Sequence, residues 1–83
     1  MGETTMTIRQ ATLDGRLIAY HDQTDFLVQV GKGKSSYQTR YKFTGNLSAA
    51  VMHFNGINLG MGYKKRLLAP SFNKPLLARQ KGM

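Results

Sequence analysis

Cysteine is absent from this chain of 83 residues, and acidic residues are absent from everything after Asp25. Without thiols, no disulfide and no thiolate metal site can staple the domain, and the chain suits a reducing compartment. Without carboxylates beyond residue 25, acid–base chemistry by carboxylate pairs is excluded from most of the sequence. Proline occurs only at Pro70 and Pro75. No apolar run approaches the ~20 residues that a membrane-spanning helix needs. The opening segment Met1-Gly2-Glu3-Thr4-Thr5-Met6 lacks the basic-then-apolar plan of a secretory signal. Position 6 is Met, where a myristoylation pattern requires Ser or Thr. These features predict a cytoplasmic location and no membrane association.

Positive charge is abundant. Lys and Arg number 12 against four acids, for a formal net charge of +8. The split is uneven along the chain. Glu3, Asp14, Asp22 and Asp25 share the first segment with only Arg9 and Arg16, and every other cation falls in the acid-free remainder. Such a segregated excess points to an anionic partner. A chain of this length builds one small core and buries roughly 60% of its unfolded surface.

The apolar pattern predicts an α+β domain. Met6 to Leu13 and Arg16 to His21 read as strands joined by Asp14-Gly15, a strong two-residue hairpin signal. Phe26-Leu27-Val28-Gln29-Val30 is the clearest strand, with Phe26, Val28 and Val30 on one face. Gly31-Lys32-Gly33-Lys34-Ser35 connects it to a strand from Ser36 to Phe43. Strict alternation there puts Tyr37, Thr39, Tyr41 and Phe43 inward and Gln38, Arg40 and Lys42 outward. Asn46 is a helix N-cap residue. Leu47, Ala50, Val51 and Phe54 keep the i, i+3, i+4, i+7 spacing of one helical face. Asn55-Gly56 stops that helix through a left-handed glycine. A last strand is expected within Tyr63 to Leu68. The whole is a small two-layer domain over 1–69, a three- to four-stranded antiparallel meander packed on one short helix. An irregular basic tail over 70–83 follows it.

Arg40 and Lys42, two residues apart on one strand face, would project side by side about 7 Å apart. Lys32 and Lys34 lie at the adjoining hairpin tip. Tyr63-Lys64-Lys65-Arg66 is a compact basic run with an aromatic beside it, suited to phosphate contact and stacking. The segment Gly31 to Ser35 resembles a phosphate-binding loop only superficially. Position 28 is Val where a Walker loop requires Gly, and strand rather than helix is expected to follow. His21 and His53 have neither Cys nor an acid pair beside them, so no metal site and no cofactor are expected. No Ser has a recognisable nucleophile setting, and the aspartates fall in turns where they cap backbone amides. The chain is therefore expected not to be an enzyme.

A three-stranded sheet, then Phe43-Thr44 entering a short helix with Ala50 facing inward, resembles the sheet-plus-helix DNA-binding modules of AP2 domains and of the amino-terminal arms of some integrases. The resemblance spans Phe26 to Phe54 and carries no individual residue across. It implies a sheet that reads the major groove. The expected function is nucleic-acid binding by Lys32, Lys34, Arg40, Lys42, Lys64, Lys65 and Arg66, with duplex DNA ranked ahead of RNA. The competing expectation is a small interaction or inhibitory module of phage or plasmid type. Such a module would bind an acidic protein or pair with itself through the apolar, glycine-rich stretch from Gly56 to Leu77.

Overall fold

Asp14 and Gly15 take φ values of 51° and 78°. Two successive positive φ angles define the turn that matches the natural twist of a hairpin, and Gly15 adopts its angle without a Cβ penalty. The computed structural model describes residues 7–33, 35–72 and 74–79. Its elements are β1 (Ile8–Leu13), β2 (Arg16–His21), β3 (Asp25–Gly31), β4 (Gln38–Thr44), α1 (Leu47–Gly56), β5 (Lys64–Ala69) and β6 (Lys74–Arg79). A 3₁₀ turn over Pro70–Phe72 joins the last two strands.

The fold is α+β, with one helix packed on an antiparallel sheet. The strands do not form a single meander. β1 and β2 pair only with each other, and the larger sheet has the order β4-β3-β5-β6. β3 is antiparallel to both β4 and β5, so those two flanking strands run parallel to one another. Parallel strands cannot be joined by a tight turn. The chain crosses from β4 over one face of the sheet to β5, and α1 makes that crossing.

Burial follows from this. Phe26 and Val28 on β3, Leu67 and Ala69 on β5, and Leu47, Ala50 and Phe54 on α1 are fully buried together. The β1–β2 hairpin closes the other side of the helix with Ala11 and Tyr20. Tyr20 meets the Phe26 ring edge-on at 5.0 Å, and its hydroxyl accepts from the Leu47 amide at 3.3 Å. Asn46 Oδ1 accepts from the Ala49 amide at 3.0 Å. Two of the orphan donors at the start of α1 are thereby satisfied, one by the predicted N-cap and one by a side chain from a distant strand.

The helix does not end on a left-handed glycine. Gly56 belongs to α1, and the cap is Ile57 in extended conformation. The work expected of Gly56 falls to Lys65. Its Nζ donates to the carbonyl oxygens of Phe54 at 2.7 Å and Ile57 at 3.3 Å, and lies 4.8 Å from the Phe54 ring centroid. A cation at a helix C-terminus is favourable both for the exposed carbonyls and for the helix dipole.

Two further expectations need correction. The stretch after residue 70 is not an irregular tail throughout, because residues 74–79 pair with β5. Pro75 is tolerated because β6 is an edge strand, where a missing N–H breaks no central ladder. Residues 80–83 lie outside the described residues. The second correction is a bulge in β4. Val28 pairs with Tyr41 but Gln29 pairs with Thr39, which leaves Arg40 as the extra residue. An inserted residue reverses the alternation on one side of it. Tyr41 and Phe43 keep their predicted direction toward the helix. Thr39 turns to the face away from the helix, where its Oγ1 accepts from Gln29 Nε2 at 3.0 Å. Tyr37 turns with it, and stacks under the Arg66 guanidinium at 4.2 Å.

Candidate nucleic-acid interface

Strand register decides where the cations meet. Gly31 at the end of β3 pairs with Lys64, Val30 pairs with Lys65 and Gln38, and Gln29 pairs with Arg66 and Thr39. The end of β3, the start of β4 and the start of β5 therefore coincide. Lys32 follows directly after β3, and Arg40 bulges from β4 one residue beyond Thr39. The opposite end of the sheet begins with Asp25, paired with Thr44, whose hydroxyl donates to Asp25 Oδ1 at 2.6 Å. A seven-residue strand sets these ends about 20 Å apart at roughly 3.3 Å per residue. One end of the sheet is a basic pole, and β3 starts on an acid at the other.

The seven predicted contact residues do not behave alike. Lys32, Arg40 and Lys64 are exposed at the pole. Lys42 is exposed but pairs with Leu27, well toward the Asp25 end and on the face away from the helix. The pair Arg40 and Lys42 does not project side by side, because the bulge turns Arg40 to the helix side. The geometric motive for a ribbon that enters a groove with that pair is thereby removed. Lys65 is half-buried and engaged with the end of α1.

Arg66 is also half-buried and is bound into the fold. Its Nε donates to Gln29 Oε1 at 2.7 Å. Gln29 is 8% exposed on the central strand, and a buried amide needs both its donor and its acceptor satisfied. Arg66 and Thr39 supply the two partners. Lys34 lies outside the described residues.

The hairpin tip that carries Lys32 is held firmly. A Cβ on Gly31 would come within 2.6 Å of the Ser36 backbone oxygen, so only glycine permits this close return of the chain. Ser36 Oγ accepts from the amides of Lys32 and Gly33, each at 2.8 Å. The residues that follow enter β4, and no helix N-terminus is presented to a phosphate there. Lys32 Nζ reaches across to lie 5.2 Å from the centroid of the Tyr63 ring.

Tyr63 belongs to a cleft that sequence reasoning did not find. The cleft has a volume of about 330 Å³ and is shaped by Val30, Arg40, Tyr41, His53, Ile57, Asn58 and Tyr63, among others. The β4 edge, the C-terminal end of α1 and the approach to β5 supply these groups. Tyr41 was expected in the core with Tyr37, Phe43 and Phe54, yet it is 54% exposed. It faces the helix side beyond the reach of the helix's apolar stripe and meets His53 edge-on at 4.1 Å. His53 in turn lies 5.7 Å from Phe43, so the histidine packs between the two rings. Tyr63 is 41% exposed. The signal that could have found this site was the coincidence of Tyr41, His53 and Tyr63 with neighbouring cations, but their spacing in sequence is irregular.

Among the described residues no group of three or more His, Asp or Glu could hold a metal ion. No described helix is long and apolar enough to cross a membrane. Comparison with protein-family models, with curated proteins and with solved structures finds no match.

Proposed function

We propose that this protein is a non-enzymatic nucleic-acid binder that engages phosphates with its basic pole. One observation carries the reading. Three exposed cations, Lys32, Arg40 and Lys64, lie at the same end of the sheet, Arg40 on the helix side and Lys64 on the other, and two exposed tyrosines share the cleft that Arg40 lines. β4, α1, β5 and β6 contain no acid that could compete for those cations. Cations spread for solubility alone would be interleaved with carboxylates. A polyanion that crosses the pole can instead meet several cations at once and release its counterions. Charge of this kind reads phosphate, so DNA and RNA are both substrates of the same surface. Such a role goes with a cytoplasmic location, to which a cysteine-free chain is suited.

The test is affinity measured against salt with a labelled oligonucleotide. If Lys32, Arg40 and Lys64 make about three phosphate contacts, log affinity should fall with log salt at a slope near −2.7 for duplex and about −2.1 for single strand. Absence of binding to either at about 50 mM salt removes the reading. Binding to an acidic protein that persists after nuclease treatment would favour the interaction-module alternative in its place.

A further inference from the structure

We propose that the cleft between the β4 edge and the end of α1 receives one unpaired nucleobase, while Lys32 and Arg40 hold the phosphates beside it. The inference rests on the reading of the pole as a nucleic-acid surface and adds what that surface selects.

The first support is aromatic exposure. Tyr41 and Tyr63 leave 54% and 41% of their surface to solvent, whereas the other aromatic side chains of the described residues are buried or half-buried. Both belong to the same cleft, and His53 stands against Tyr41 there. Rings brought to one opening from three separate chain segments form a surface on which a planar base can stack, whichever base it is.

The second support is size. About 330 Å³ falls at the low end of the roughly 300–1,000 Å³ typical of small-ligand clefts. That volume admits one planar ring system. The third is chemistry at the rim. Arg40 lines the cleft itself, and Lys32 Nζ lies against Tyr63, so cations flank the rings at nucleotide scale. Asn58 adds an exposed amide, able to donate to and accept from a base edge. An apolar or acidic peptide would use the rings or the cations, whereas a nucleotide uses both.

A base locked between neighbours in a duplex cannot enter without being extruded, which costs stacking and pairing energy. The cleft therefore makes the protein prefer single strands. The experiment compares three probes by fluorescence anisotropy: a mixed-sequence single strand of about ten nucleotides, an abasic strand with the same number of phosphates, and the matching duplex. The intact strand is expected to bind at least about fivefold more tightly than the abasic strand. It should also outbind the duplex once salt reaches about 200 mM.

The double variant Tyr41→Ala/Tyr63→Ala should erase the difference between intact and abasic strands and leave the salt slope in place. Tyr41→Phe/Tyr63→Phe, which keeps the rings, should retain it. Should the alanine pair fail to fold, the abasic comparison and the phenylalanine pair still decide. Equal affinity for intact and abasic strands, or a duplex ahead at the higher salt, overturns the cleft proposal while the basic pole stands. No binding to any probe overturns both.

Discussion

Reversal of Lys32, Arg40 and Lys64 together to Glu is expected to lower nucleic-acid affinity by about three orders of magnitude at 50 mM salt. The figure follows from counterion release. A contact that contributes about 0.9 to the salt exponent is worth roughly 15-fold at that concentration, and three such contacts multiply to a few thousand. Each reversal also lowers the formal charge of +8 by two, which weakens what attraction remains. The slope of log affinity on log salt should shrink to about −1 or less.

The fold should survive, since all three side chains are exposed and none holds a buried partner as Lys65 and Arg66 do. Lys42→Glu alone serves as the control. It is equally exposed but sits away from the pole beside Leu27, so its effect should be smaller than that of any single reversal at the pole. A triple variant that keeps its amide spectrum and loses less than about tenfold in affinity would show that the pole is not the contact surface. If glutamates at the pole disturb folding, the corresponding Gln variants remove charge without repulsion and still predict a loss of slope.

The largest effect on stability is expected from Phe54→Ala, a loss of about 3–5 kcal/mol. A domain of this length holds roughly 4–12 kcal/mol in total, so the variant should be substantially unfolded at modest urea concentration. Phe54 is fully buried where α1, β3 and β5 meet. Its backbone oxygen accepts from Lys65 Nζ at 2.7 Å, and its ring lies 4.8 Å from the same ammonium. The small helix cannot stand alone at ten residues, because isolated helices of that length are marginal in water. The residue that anchors it to the sheet therefore matters beyond its own area. Met52→Ala, on the opposite side of the same helix and 74% exposed, should change the urea midpoint little. Similar midpoints for the two variants would contradict the packing described here.

Local signals carried part of this structure and pairing carried the rest. Asp14-Gly15, the Phe26 to Val30 strand, the Asn46 cap and the Leu47-Ala50-Phe54 stripe each declare themselves over a few residues, because their physics is local: a positive φ, a two-residue period, an orphan amide, a helical face. The bulge at Arg40 is different. The run Tyr37-Gln38-Thr39-Arg40-Tyr41-Lys42-Phe43 alternates without a break, and the extra residue exists only relative to β3. The same holds for the end of α1, which is closed by Lys65 from eleven residues beyond Phe54 and not by the adjacent glycine. β6 was hidden by Pro75 and by its own irregular pairing, since the register of β5 and β6 shifts between Leu67 and Leu68.

The candidate site divides along the same line. The acid-free remainder of the chain was visible as composition. That Lys32 and Lys64 share one end of a sheet required the pairing of Gly31 with Lys64, across a helix and a glycine-rich loop. Alternation placed Tyr41 among the core residues, and its exposure depends on how far a short helix extends over the edge strand. The two cations left out of the proposed contact surface, Lys65 and Arg66, could not be told from their neighbours in the basic run. What distinguishes them is the helix terminus and the buried Gln29 that they serve.

On the proposed function, nucleic acid is met at the end of the sheet where β3 finishes and β4 and β5 begin. An amide-shift titration with a short oligonucleotide tests it residue by residue. The prediction is a contiguous set of moving resonances at residues 31–33, 38–41 and 57–66, with β1, β2 and the Asp25–Thr44 end of the sheet unmoved. Shifts concentrated on the β1–β2 hairpin or around Lys42, with the pole silent, would contradict it.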